Sequence, residues 1–144
     1  NQSWWCHHIQ LLYGKQAVDA NPTFQVDLTG AYELSETFSL GVNASYNETF
    51  ETGGFYGVAL YPAVALKEGF DVGMRFEYFK ELAVGGVAYG ADNSVIDATL
   101  TASYTTKDLR LIAELRLDDS STAQFNSMTS DQLSSFVLAA VYSF

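Results

Sequence analysis

Along most of the chain apolar and polar positions alternate one by one, the period of a strand with one greasy and one hydrated face, and helical spacing is hard to find. In residues 109–118, Leu109, Leu111, Ala113, Leu115 and Leu117 share one face, while Arg110, Ile112, Glu114, Arg116 and Asp118 share the other. Residues 70–79 set Phe70, Val72, Met74, Phe76 and Tyr78 against Asp71, Gly73, Arg75, Glu77 and Phe79. Residues 38–47 set Phe38, Leu40, Val42, Ala44 and Tyr46 against Ser39, Gly41, Asn43, Ser45 and Asn47. The same split runs through residues 23–34, 95–105 and 133–144. In residues 55–66 it places Tyr56, Val58, Leu60, Val64 and Leu66 opposite the small Gly57, Ala59, Ala63 and Ala65. Seven strands follow, with a weaker eighth around Trp4 to Tyr13.

The connections sort by length. Residues 14–21, 48–54, 81–94 and 119–132 are the longer ones, and residues 35–37, 67–69 and 106–108 are tight turns. Alternating strands then have all short turns at one end and all long loops at the other, the arrangement of outer-membrane barrels, in which the short turns are periplasmic.

Aromatic spacing gives a length scale. Phe24 and Tyr32, Phe38 and Tyr46, Phe70 and Tyr78, and Phe136 and Phe144 are pairs eight positions apart on the apolar face. Eight residues of tilted strand project to about 20 Å along a barrel axis, close to the apolar band of about 25 Å between aromatic girdles. The topology assigns Tyr32, Phe38, Phe70, Tyr104, Tyr142 and Phe144 to the periplasmic girdle, and Phe24, Tyr46, Tyr56, Tyr78 and Phe136 to the outer one.

The expected fold is therefore all-β, an antiparallel up-and-down transmembrane β-barrel. Residues 1–144 form a single barrel domain or the C-terminal portion of one, with residues 1–21 an N-terminal strand and loop of weaker signature. No run of about twenty apolar residues is present for a transmembrane helix, but a spanning β-strand needs only about ten and hides its apolar half in alternation. No signal peptide begins at Asn1, as expected of a mature form or a fragment.

With lipid outside, the polar set lines the lumen: Asp71, Arg75, Glu77, Asp97, Arg110, Glu114, Arg116 and Asp118. Both charge signs occur, so in a tight eight-stranded barrel these groups would plug the interior with ion pairs, whereas in a wider one they would form a charged wall beside water. The many small inward residues, among them Gly41, Gly57, Ala59, Gly73 and Thr101, favour a wet lumen. A net charge of −10 excludes nucleic acid as a partner and favours cations or neutral solutes.

Catalysis and cofactors find little support. The candidate acid–base pairs are Asp118 with Asp119 and Asp97 with Glu114, but no serine sits in a nucleophile motif. Cys6 is the only cysteine, and adjacent His7 and His8 on a strand point to opposite faces, so neither a metal nor another cofactor is expected.

Every second residue counted back from Phe144, namely Tyr142, Ala140, Leu138 and Phe136, is apolar. This resembles the C-terminal recognition strand of Gram-negative outer-membrane proteins, which implies an outer-membrane address, lipid contact and engagement of the barrel-assembly machinery through that strand. Over residues 22–144, the segments RFEYFKE (75–81), ATLTASYT, AELRLDDSS (113–121) and FVLAAVYSF resemble the OmpL-like β-barrel porins of Gram-negative bacteria. The resemblance implies passive diffusion of small solutes or ions, here with a weak cation preference because acids outnumber bases. Two alternatives use the same strands. One is a plugged barrel whose loops at 81–94 and 119–132 bind a protein partner; the other is a soluble lipocalin-like carrier with its apolar face inward.

Overall fold

The computed structural model describes residues 5–82, 84 and 89–144, with the side chains of Trp5 and Cys6 outside the described set. Eight strands follow in chain order: β1 (Trp5–Lys15), β2 (Pro22–Glu33), β3 (Phe38–Thr49), β4 (Gly53–Lys67), β5 (Phe70–Glu81), β6 (Ser94–Thr106), β7 (Leu109–Ser120) and β8 (Gln132–Tyr142). They form one antiparallel sheet in the order β1-β2-β3-β4-β5-β6-β7-β8, each strand paired with its sequence neighbours. The fold is all-β and up-and-down, as the alternation predicts. The sheet is open: β1 pairs with β2 alone and β8 with β7 alone, so each has one unpaired edge.

The two faces carry opposite chemistry. Among the described residues every buried side chain belongs to one face, and most are polar: Thr23, Glu81, Asp97, Thr99, Ser103, Asp118 and Ser120, with only Ala59 and Val95 apolar. The opposite face presents Leu28, Val58, Leu60, Met74, Phe76, Leu100, Leu111, Leu115 and Leu117, all exposed. The face on which side chains crowd one another is the inner face. A soluble protein buries apolar groups and exposes polar ones; this sheet does the reverse.

Cross-strand register aligns each face into rows. Met74, Leu100, Leu115 and Phe136 form a row on the outer face from β5 to β8. On the inner face Asn43, Ala59, Glu77, Asp97 and Asp118 form a row from β3 to β7. A register slip of one residue would exchange the two sets, so the contrast between the faces holds the alignment.

The connections differ from expectation in one place. Residues 16–21, 82–93 and 121–131 remain longer loops, but the expected loop at 48–54 shrinks to 50–52, because β3 and β4 pair out to Thr49 and Gly53. Glu51 at φ 59° makes the reversal. At the other end the turns are 34–37, 68–69 and 107–108. Gly69 is required in its turn: its φ is +74°, and a Cβ there would collide with the Thr105 carbonyl, which lies beside it because the Thr105 N–H donates to the Gly69 oxygen at 2.7 Å.

Strand β4 also breaks the alternation read from residues 55–66. A bulge between Ala65 and Lys67 removes Leu66 from the ladder and turns Lys67 to the outer face, where its ammonium lies 5.8 Å from the Phe70 ring centre. Strand β1 carries the weak eighth signal; its expected first residue, Trp4, lies outside the described residues.

Candidate functional site

The inner face divides into a charged wall on β5–β7 and a polar, aromatic one on β2–β5. On the charged wall Asp97 is the hub. Arg75 Nε lies 3.0 Å from its Oδ1 and Arg116 Nε 2.7 Å from its Oδ2, and Thr99 Oγ1 donates to Oδ1 at 3.0 Å. Arg116 also donates to Asp118 at 2.7 Å, and Glu77 lies 3.8 Å from Arg75. Asp97 and Asp118 stand directly opposite each other across β6 and β7, a repulsive placement unless a cation bridges them. Arg116 is that bridge. The Asp97 and Asp118 side chains are 4% and 3% exposed and those of Arg75 and Arg116 31% and 39%, so the carboxylates lie beneath the guanidinium groups, which face the interior.

Five expected lining residues, Arg75, Glu77, Asp97, Arg116 and Asp118, thus form one network. Glu114 lies apart and accepts from Thr101 at 3.0 Å; Arg110 donates to Ser103 at 3.3 Å nearer the short-turn end, where Asp71 is exposed. The proposed acid–base pairs do not form. Asp97 faces Asp118 rather than Glu114, and Asp119 is on the outer face, accepting from Gln132 at 2.9 Å. His7 and His8 fall on opposite faces, with His7 edge-on to Tyr32 at 5.2 Å between ring centres, and the Cys6 side chain lies outside the described residues.

The polar wall is built from amides, hydroxyls and one acid. Asp27 accepts from Ser45 at 2.5 Å and from Gln25 at 2.6 Å, and Asn47 donates to Gln25 at 3.0 Å. Beside it are inner aromatic rings that the alternation did not single out. Phe55 and Phe79 stack at 5.4 Å, and Tyr89, from the loop 82–93, meets Phe79 edge-on at 5.8 Å. Two glycines admit these rings. Phe79 lies over Gly57 and Tyr61 over Gly41, with a hypothetical glycine Cβ 3.5 and 3.1 Å from the respective side chain. The small residues expected to leave a wet gap are in part covered by rings from the next strand. Phe79 in a polar position of β5 and Tyr61 in an inward position of β4 were the available signals.

At the long-loop end two loops are tied across the inner face. The buried Glu81 accepts from the Tyr89 N–H at 3.1 Å, and the Tyr89 carbonyl accepts from Asn93 at 2.6 Å and from Gln124 of the loop 121–131 at 2.7 Å.

The outer face holds the aromatic residues expected at the two rims except Phe144, which lies beyond the end of β8. Phe24, Tyr46, Tyr56 and Tyr78 lie toward the long-loop end, with Phe24 6.4 Å from Tyr46 and Tyr56 6.1 Å from Tyr78 between ring centres. Phe136 pairs with Leu115 midway along β7, whereas the reading from topology put it at the outer rim with those four. Phe70 pairs with Tyr104 and Tyr142 with Leu109 at the short-turn end, where Tyr32 and Phe38 also lie.

The family described as putative beta-barrel porin-2, OmpL-like, matches residues 5–144. The match takes in β1, beyond the residues 22–144 on which the resemblance in sequence rested. No curated protein and no solved structure matches the chain.

Proposed function

The chain belongs to the OmpL-like β-barrel porin family, and from that premise we propose that its sheet is the wall of an outer-membrane pore for passive diffusion of small solutes and ions. The observation that carries the reading is the inverted pair of faces: Leu100, Leu115 and Phe76 exposed on one side, Asp97, Thr99 and Asp118 buried on the other. Hydrocarbon is the solvent that suits the first face, and water beside hydrogen-bonded ions suits the second.

An open sheet edge cannot stand in lipid, since each unpaired backbone group there costs several kcal/mol. The edges of β1 and β8 therefore pair in the working barrel. Pairing with further strands gives a lumen wider than the side chains can fill, and the charged wall then borders water. Pore selectivity is weakly cationic: Glu77, Asp97 and Asp118 outnumber Arg75 and Arg116, and Asp27 adds to them, while the exposed guanidinium groups temper the field. Outer-membrane lipid covers the apolar face, and β8 engages the assembly machinery.

Purified protein added to a planar bilayer should give stepwise conductance, with a reversal potential in a salt gradient on the cation side. Silent insertions would reject the pore and favour a plugged barrel acting through its loops.

A further inference from the structure

Resting on the pore reading, we propose that the inner face of β3–β5 holds a binding site for one pyranose ring of a neutral saccharide. The site is a cavity of about 190 Å³, smaller than the roughly 300 Å³ at which drug-sized sites begin, so it admits a single small ring. Its floor is Gly57 and Ala59, neighbours along β4 with no bulk to fill the space. The stacked Phe55 and Phe79 rise at the long-loop end and Tyr61 at the other.

Phe79 and Tyr61 rest against the glycines of adjacent strands and line the cavity with Phe55, on which Phe79 stacks. Flat aromatic faces stack on the C–H face of a sugar ring. Asn43 and Glu77 close the two sides, in one row with Ala59 between them. The Asn43 amide has no hydrogen-bond partner among the described residues, and Glu77 makes only its long contact to Arg75. Amide N–H groups donate, while amide and carboxylate oxygens accept. A solute whose hydroxyls do both fits this set; an organic cation would leave the amide donors unused. Phe79 and Tyr89 continue the aromatic surface outward to the loops, so an entering sugar meets rings before the cavity.

The test is calorimetric titration of the detergent-solubilised protein with glucose, maltotriose and, as a cation probe, tetramethylammonium. Saturable binding of the sugars is expected, weakened about tenfold in Phe79→Ala and in Asn43→Ala, each checked for an unchanged β-sheet circular dichroism spectrum. Asn43→Ala removes an exposed amide only, so its result stands if Phe79→Ala fails to fold. The same sugars should interrupt single-pore currents. Sugar binding without conductance would sink the pore and leave the site; conductance without sugar binding, or sugar affinity unmoved by Asn43→Ala, would overturn the site. Tighter binding of tetramethylammonium than of either sugar would overturn the assignment of its ligand.

Discussion

Asp97 shows how a single side chain is fixed by its neighbours' register. It lies opposite Glu77 on one side and Asp118 on the other, and it is held by Arg75, Arg116 and Thr99. Hydrogen bonds to charged groups contribute about 1.5–3 kcal/mol each when buried, but the guanidinium groups here are partly exposed and screened. Asp97→Asn should therefore lower unfolding stability in detergent by about 1–3 kcal/mol in total and shift the reversal potential toward anions. Equal stability with unchanged selectivity would show that the network does not face the conducting water. On the outer face, Leu115→Arg should cost about 2–4 kcal/mol in lipid, whereas Thr101→Ser, which keeps the hydroxyl donated to Glu114, should be nearly silent. Similar losses at both positions would contradict the assigned faces.

At the scale of strands and turns, the turn after β4 is the most exacting. Gly69→Ala meets both a left-handed backbone and the Thr105 carbonyl, a cost of about 1–3 kcal/mol by the usual scale of backbone strain, measurable as a lower urea midpoint in refolding from lipid vesicles. A midpoint equal to wild type would mean that the turn adopts another form. Seven of the strands were legible because one face of each is almost wholly apolar while the other is mostly polar or small, as in residues 109–118. β1 was faint because Leu12 falls among its inner residues Gln10 and His8 and blurs the alternation. Alternation reports which face a residue occupies but not which residue it meets, so the candidate pair of Asp97 with Glu114 failed on register. The Leu66 bulge and the loop residue Tyr89, which reaches back to Phe79, also have no period to betray them.

For the whole molecule the decisive feature is the exchange of inside and outside. The inner surface offers ion pairs, amides and a few rings; the outer surface offers a mostly apolar field, interrupted by His7 on β1 and Ser134 on β8, with aromatic residues toward both ends. The open edges of β1 and β8 make closure a requirement of this chemistry rather than an ornament of it, since lipid cannot satisfy their backbone groups. The most direct test of the exchange replaces Cys6 by Ser and places one bimane-labelled cysteine at Leu115 or at Thr101, in vesicles whose acyl chains carry bromine. The label at Leu115→Cys should be strongly quenched by the brominated chains and the label at Thr101→Cys left bright; quenching at Thr101→Cys with a bright label at Leu115→Cys would contradict the account.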